Sequence, residues 1–372
     1  MTAAADVLAA VAGQAGRIRE TMDFVHAHPE LGHEERECSA QLCDVLAAGG
    51  LEVKHGVAGM ETAFRSTLRG ARPWRTVGLV CLYDAVAAVR PDGRIEAIHS
   101  CGHGPIAGAC VGAALALAEL RAELAGSIVV VGCPADEIHA PGTIARGGGK
   151  ALTAEAGLWD DVDAALYAHP EFIDTVSLES RWMRRATATV AGERSLATAD
   201  QPQLQAAAAA LELARGQVPD DVMLERLELE GDVEEGTGLV LQATFLVFAD
   251  REEDVEPRLN ALRAALPGAS WSPGRLVQAV RPNDRVTAAV SEAFGVLGRE
   301  FVDDPPRLPF ATDFGNISRR CPAALIGVGR PGGWAFHTDE GAAQFASADG
   351  EAAATTIAQV LALAAARLTE PA

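Results

Sequence analysis

The chain lacks any uninterrupted run of about 18 apolar residues, the length that a membrane-spanning helix requires. Its first twenty residues, MTAAADVLAAVAGQAGRIRE, also lack the basic leading region of a signal peptide, and they carry charges at helical spacing. This segment predicts an amphipathic first helix. We therefore expect a cytoplasmic protein with no membrane partner.

A disulfide pattern and an excess of positive charge are also missing. The seven cysteines are odd in number and scattered, which is typical of a reducing compartment such as the cytoplasm. The net charge of -20 argues against nucleic acid and anionic membranes as partners, because like charges repel. With 49% hydrophobic and 22% charged residues the chain is globular, and 372 residues predict two domains.

Two kinds of secondary-structure pattern divide the chain. Buried strands predicted at 75–85, 127–137 and 162–170 alternate with helices at 107–125 and near 148–158, as in an α/β fold with a mostly parallel central sheet. Such a sheet carries its sites at the carboxyl ends of its strands.

The pattern changes near residue 178 to strands and helices in an order that fits a smaller α+β domain. We predict a discontinuous catalytic domain, 1–181 and 284–372, interrupted by an inserted α+β domain, 182–283.

Candidate metal ligands stand at the edges of predicted elements in four separate segments. A thiol and imidazoles suit zinc or a related divalent ion, and an adjacent pair of carboxylates can divide ligation and proton transfer between them. Each candidate alone is ambiguous, because a lone histidine or acidic pair is more often a loop residue. The candidate ligands are Cys101, His103, Glu137, His169 and His337, and the carboxylate beside Glu137 is Asp136.

Motifs along most of the chain resemble one family of metal-dependent amidohydrolases and metallopeptidases. That family includes aminoacylases, auxin-conjugate hydrolases, aminobenzoyl-glutamate hydrolases and β-alanyl dipeptidases, and the motifs are most similar to the last two. The motifs are HAHPELGHEE (26–35), LYDA (82–85), HSCGHGPIAGACVGAA (99–114), CPADE (133–137), WDDVDAALYAHP (159–170), ATDFGNIS (311–318) and FHTDE (336–340).

The resemblance implies the chemistry of this family. The five candidate ligands would hold two divalent ions, zinc or manganese, and Asp136 would be the general base for water attack on a small amide substrate. The insert would be a lid through which two chains form a homodimer. Asn316, in ATDFGNIS, and Arg184 are the substrate-binding candidates, although an exposed ion pair is the alternative for Arg184.

Several departures from the family pattern fall on the chemistry. Asp136 replaces a glutamate and is shorter by roughly 1.5 Å, and a misplacement of about 1 Å can cost on the order of a hundredfold in rate. Leu196 stands where the family has a histidine that steadies the oxyanion, a loss of about 2.7–4 kcal/mol. His139 is either a loop histidine without a role or a replacement acid or oxyanion donor. Gly104 and Leu82 replace polar residues around the ligands.

Three functions remain open at this point. The leading interpretation is hydrolysis of an N-acyl amino acid or dipeptide-like amide. A second is a biosynthetic enzyme with altered chemistry, such as amide formation, cyclisation or lysis, because Asp136 and Leu196 weaken water attack. The third, a non-catalytic binding protein, is disfavoured by the complete ligand set.

Overall fold

The computed structural model describes residues 3–191, 201–216, 221–231 and 240–370. The chain forms two units: a larger one, Met1–Glu179, Val280–Pro306 and Asp313–Ala372, and a smaller one, Ser180–Ala279 and Arg307–Thr312. The sequence placed the insert at 182–283 and did not indicate the second short segment of the smaller unit. That segment belongs there because the oxygen of Phe310 accepts a hydrogen bond from the N–H of Arg181 at 3.1 Å.

Strands and helices alternate along the larger unit, and the described part of the smaller unit contains four strands and two α-helices. The strands are β1 (Glu52–His55), β2 (Phe64–Arg69), β3 (Arg72–Cys81), β4 (Val86–Val89), β5 (Ile95–Ile98), β6 (Ala125–Gly132), β7 (Ala164–Glu171), β8 (Trp182–Ala191), β9 (Val222–Glu230), β10 (Val240–Ala249), β11 (Ser270–Val277) and β12 (Ala323–Gly329). The α-helices are α1 (Ala4–Gly13), α2 (Ala15–Ala27), α3 (Arg36–Ala48), α4 (His103–Glu119), α5 (Pro141–Arg146), α6 (Gly149–Glu155), α7 (Gln201–Gly216), α8 (Val255–Ala265), α9 (Asp284–Val296), α10 (Phe314–Ser318), α11 (Asp339–Phe345) and α12 (Ala348–Leu368).

The central sheet of the larger unit has the strand order β1-β2-β6-β3-β7-β12. The four strands β6, β3, β7 and β12 run parallel, and β1 and β2 join as an antiparallel edge. The predicted α/β fold with a mostly parallel sheet is confirmed. The carboxyl ends of four neighbouring strands therefore meet at one edge of this sheet, where ligand sites of parallel sheets are found.

Helix α4 packs closely against α2 because it carries glycines where the two helices meet. A Cβ at Gly108 would lie 2.6 Å from the main-chain oxygen of Ile18, and a Cβ at Gly112 would lie 2.3 Å from Cγ1 of Ile18. The close approach buries nearly the whole of α4, whose first residue is His103. The packing therefore fixes the helix end that carries one candidate metal ligand.

The last helix, α12, is long and apolar enough to cross a membrane by length and composition alone. In the structure 67% of its apolar window is buried, and the helix packs against α4 and α9. This burial is what a core helix of a folded domain shows, and the helix completes the layer that covers one face of the central sheet.

The smaller unit contains a four-stranded antiparallel sheet with the order β11-β8-β10-β9. A buried cluster joins this sheet to α7 and α8, with Phe245 and Val247 of β10 packed against Leu262 of α8 and Ala210 of α7. The α+β character predicted for the insert is therefore present.

Candidate metal centre

The candidate ligands gather where the parallel strands of the larger unit end. Glu137 lies in the loop after β6, His169 lies near the end of β7, and His337 lies in the loop after β12. Cys101 and His103 come from the turn that starts α4. This common edge brings together side chains that are far apart in the sequence.

Two groups of ligand atoms share one cysteine. In the first, Cys101, His103 and His169 have their ligand atoms within 4.8 Å of one another, and in the second, Cys101, Glu137 and His337 do so. The Sγ atom of Cys101 lies 3.8 Å from Nε2 of His169 and 3.2 Å from Nε2 of His337. Two tetrahedral ligands of one zinc ion are separated by comparable distances, since Zn–S is about 2.3 Å and Zn–N about 2.0–2.1 Å.

A tight turn directs Cys101 and His103 towards the same space. Gly102 between them has φ +88°, and a Cβ there would lie 2.8 Å from Cγ of Pro170. The main-chain N–H of His337 donates to the oxygen of Ser100 at 2.9 Å, which ties the last ligand loop to this turn. Glycine is therefore required between the two ligands by both its backbone angle and its surroundings.

Asp84, just after β3, orients two of the ligands. Its Oδ1 and main-chain oxygen lie 3.0 Å and 2.7 Å from Nδ1 of His103, and its Oδ2 accepts a hydrogen bond from the N–H of Glu137 at 2.8 Å. The carboxylate is fully buried. Contacts of this kind hold the proton on Nδ1 and leave Nε2 of the imidazole free to bind a metal.

The buried donor atoms fit a divalent cation. Nε2 of His103 and Oε1 of Glu137 are buried and have no hydrogen-bond partner within the part of the chain that the structure describes, yet they lie only 3.9 Å apart. Buried polar atoms without partners are costly, and a cation that they both bind would remove that cost. Thiolate, imidazole and carboxylate together are the donors that zinc and related divalent ions take.

Burial is the largest cause of the pKa shifts of Cys101, Glu137 and His169 in the metal-free protein. It raises the pKa of Cys101 to about 12, with the Glu137 carboxylate adding to the effect, and it raises the pKa of Glu137 to about 7. Burial, aided by the charge of His103, lowers the pKa of His169 to about 3. Metal binding must therefore displace the proton of the thiol, whereas the His169 imidazole is already in the neutral form that binds a metal.

Asp136 lies between the ligands and the interior of the larger unit. Its Oδ2 is 3.4 Å from Nε2 of His103, whereas its Oδ1 accepts a hydrogen bond from Nζ of Lys150. The position of Oδ2 suits proton transfer at the metal ligands. His139 is exposed, and it is close enough to His337 for its charge to contribute, after burial and His103, to a lowered His337 pKa. A catalytic role for His139 stays a prediction.

The structure shows the local contacts of two further sequence candidates, Asn316 and Arg184. Asn316 is half-buried on α10, and its main-chain N–H donates to the oxygen of Asp313 at 3.0 Å. Arg184, on β8 of the smaller unit, lies 3.4 Å from Glu256, which is the ion pair expected as the alternative to substrate binding. Substrate-binding roles for Asn316 and Arg184 stay predictions. Leu196 lies outside the described residues.

The sequence indicated the ligands but missed three residues that support them: Asp84, Lys150 and Asp313. Asp84 stands in LYDA directly after a predicted strand, so its position at the end of a parallel strand was the available signal. Lys150 closes the run GGGK, where a lysine among glycines is typical of a solvated loop. The side-chain contacts of Lys150 appear only in three dimensions.

Comparisons with known proteins agree with this geometry. The family model described as peptidase family M20/M25/M40 matches residues 83–363. One of the p-aminobenzoyl-glutamate hydrolase subunits of Escherichia coli K12 is 29% identical over 166 residues, which span 42% of this chain and 32% of that protein. The Xaa-Arg dipeptidase of Mus musculus is 27% identical over 327 residues, 78% of this chain and 71% of that protein. The chain thus matches about a third of the first relative's length.

The fold is also found in solved structures. A dinuclear metal-binding peptidase of the M20 family from Bacillus subtilis superposes with a TM-score of 0.68 over 96% of this chain and 98% of that chain, at 20% sequence identity. At 20% sequence identity this similarity shows that the two chains share a fold. Family match and fold together confirm the resemblance that the motifs indicated.

Proposed function

Because the chain belongs to peptidase family M20/M25/M40, we propose that it hydrolyses an amide bond in a small N-acyl amino acid or dipeptide-like substrate. The observation that carries the proposal is the meeting of four ligand side chains around a fifth, Cys101, with Oδ2 of Asp136 beside them. The residues fit two divalent ions, for which we propose zinc or manganese.

Each part of the site has a role in this reaction. Two bound divalent ions would acidify a water molecule and polarise the substrate carbonyl. Asp136 takes a proton from the attacking water on its Oδ2 and returns it to the leaving amine. Asp84 keeps the proton of His103 on Nδ1 and accepts a hydrogen bond from the N–H of Glu137, which holds these two ligands in place.

Hydrolysis is tested with protein purified without chelators and analysed for bound metal. The metal-loaded protein is incubated with a panel of N-acetyl amino acids, dipeptides and aminobenzoyl-amino acids, and release of free amine is measured. We expect cleavage that chelators abolish and that Asp136→Ala lowers by about 100-fold or more. Bound metal without cleavage anywhere in the panel would contradict hydrolysis.

A specific observation favours a second function, a biosynthetic reaction from which water attack is excluded. Asp136 is shorter than the glutamate of the resembled family, and Lys150 occupies one of its two oxygens. Amide formation, cyclisation or a lytic step would tolerate a base with restricted reach. The double substitution Asp136→Glu with Leu196→His should then raise hydrolysis, and an unchanged rate would argue against this function.

We also propose a homodimer formed through the smaller unit, in a reducing cytoplasm. Strand β9 is an edge of the antiparallel sheet, and it exposes Met223 at 47% and Leu229 at 43%. Exposed apolar residues on an edge strand favour pairing with another chain. Light scattering should give twice the chain mass for the wild type and the chain mass for Met223→Arg with Leu229→Arg. A monomeric wild type would contradict the proposal.

The seven free cysteines support the proposed location in a reducing cytoplasm.

A further inference from the structure

The chain contains only two lysines, although it carries many arginines. Lys54 is exposed on β1, whereas Lys150 is completely buried. A buried ammonium group costs several kcal/mol unless anions pair with it. Lysine at this one interior position therefore requires an explanation.

Two carboxylates from different parts of the chain surround the ammonium group of Lys150. Nζ donates to Oδ1 of Asp136 and lies 3.0 Å from Oδ1 of Asp313. It also lies 5.2 Å from the ring centre of Tyr167, in a cation–π contact. A lysine has three donors at one point, which suits this arrangement better than the planar fork of an arginine.

The backbone before Lys150 is built to bring it there. A Cβ at Gly148 would lie 2.3 Å from Oδ2 of Asp313, and one at Gly149 would lie 2.0 Å from the main-chain oxygen of Pro134. The N–H of Gly149 donates to the same Pro134 oxygen at 3.0 Å. Because these glycines have no side chains, the start of α6 packs directly against the loop that carries Asp136.

Asp313 is held as firmly as the lysine that it pairs with. Its Oδ2 accepts a hydrogen bond from the N–H of Ala151 at 2.9 Å, and it begins the short helix α10 as its N-cap residue. Asp313 is therefore a fixed anchor for Lys150, and Lys150 in turn is a fixed donor to Asp136.

We propose that Lys150 is the positioning residue for Asp136: by binding Oδ1 it directs Oδ2 towards Nε2 of His103 and the metal ligands. The inference rests on the proposed function, in which Asp136 is the base. The side chain of Asp136 is short, so it must be held in one position to reach the proton of the attacking water. Small displacements of a reacting group lower the rate steeply, so the contact with Lys150 matters more for this aspartate than it would for a longer side chain. Lys150 acts through Asp136 and does not touch the substrate.

The kinetic test is a double-substitution cycle on the N-acetyl amino acid that the wild type cleaves fastest. Lys150→Met should lower kcat by roughly 10- to 100-fold with little change in KM or bound metal. In an Asp136→Ala background the same substitution should cause no further loss, because the residue through which it acts is gone. An equal loss in both backgrounds would show a merely structural role and would overturn the proposal. Lys54→Met is the matched control and should leave kcat unchanged.

Stability of the variants is controlled by keeping the charge of the buried cluster balanced. Lys150→Met leaves Asp136 and Asp313 without their cation, whereas Lys150→Met with Asp313→Asn removes one charge of each sign. If the single variant does not fold, the double variant replaces it in the cycle, with Asp313→Asn as its reference. The same criterion applies to the double variant: a loss of kcat that persists without Asp136 contradicts the proposal.

A second measurement is independent of catalysis. Protein labelled with 13C at the lysine ε-carbon gives one signal from each lysine, and Lys54→Met assigns them. The contact predicts that Asp136→Asn shifts the Lys150 signal and leaves the Lys54 signal in place. An unmoved Lys150 signal overturns the proposal whether or not the protein hydrolyses an amide. A shifted signal in a protein that cleaves nothing would instead place the failure in the proposed function.

Discussion

The sharing of Cys101 by both ligand groups predicts how metal binding should respond to substitution. Cys101 belongs to the group with His103 and His169 and also to the group with Glu137 and His337. Loss of a histidine such as His337 should therefore weaken one bound ion, whereas loss of the cysteine should weaken both. Cys101→Ser removes the thiolate with almost no change in side-chain volume.

The size of the effect follows from the ligand count. Zinc sites with four protein ligands bind with about 10–16 kcal/mol, or roughly 3 kcal/mol for each ligand. His337→Ala should then cost one ion a factor of about 100 in affinity. Cys101→Ser should cost each ion such a factor, so the product of the two binding constants should fall by about 10,000-fold.

Both affinities are measured by competition with a chromophoric chelator, and bound metal is counted by elemental analysis. Cys110→Ser is the matched control, because Cys110 is buried on α4 and its Sγ donates to the oxygen of Val80, a contact that serine keeps. Should Cys101→Ser weaken only one of two ions, or no more than His337→Ala does, the reasoning from a shared thiolate is refuted.

Three further substitutions test the surroundings of the site. Asp84→Asn must turn its N–H₂ group towards either Nδ1 of His103 or the N–H of Glu137, each of which now faces a carboxylate oxygen, so metal affinity in the chelator assay should fall about 10- to 100-fold. Gly149→Ala introduces a Cβ 2.0 Å from the Pro134 oxygen, which should lower the midpoint of urea unfolding and kcat together. Burial, and to a smaller extent the negative charge of Asp84, raises the pKa of the Glu35 carboxyl from 4.5 to about 8. The native metal-free protein therefore binds the proton of Glu35 more tightly than the unfolded protein does. The resulting stability is present below pH 4.5 and is lost as the pH rises to 8, by at most about 1.4 kcal/mol per pH unit, and Glu35→Gln should reduce that loss in urea titrations.

The general fold could be predicted because each central strand carries a strong local signal. The apolar runs at 127–137 and 162–170 correspond to β6 and β7, and their spacing around helices indicated parallel strands. The strand predicted at 75–85 ends at Cys81, so Asp84 lies in the loop beyond it. Boundaries of this kind depend on tertiary hydrogen bonds and are not visible in a sequence pattern.

Elements without such a signal were not predicted. Strand β11 has the sequence SWSPGRLV, in which proline and glycine interrupt the alternation, and its pairing with β8 shifts register there. The segment Arg307–Thr312 has no pattern of its own and belongs to the smaller unit only through its contacts. Both depend on neighbours that are distant in sequence.

The site divides in the same way. The ligands could be predicted because thiol, imidazole and carboxylate groups at strand ends have a recognisable chemistry. Lys150 could not, because a lysine is exposed by default and only the packing of α6 under the Asp136 loop buries it. Residues that bind metal or act on the substrate can be recognised in the sequence by their chemical type and position. Residues that hold them in place are much harder to recognise there.

The backbone angle of Ala135, directly before Asp136, tests whether strain in the fold positions this carboxylate. Ala135 has φ +58°, and its N–H donates to Oε1 of Glu35 at 2.8 Å. Ala58 has almost the same angle, φ +56°, but stands in a turn after β1, so it is the matched control. Glycine at either position relieves about 1–2 kcal/mol of strain and costs about 0.4–1 kcal/mol through the unfolded chain. Ala58→Gly and Ala135→Gly should therefore raise the free energy of unfolding by similar small amounts, whereas only Ala135→Gly should lower kcat, because glycine lets the Asp136 loop move. Equal kcat values in the two variants would mean that the contacts of Asp136, and not the strained residue before it, fix the carboxylate.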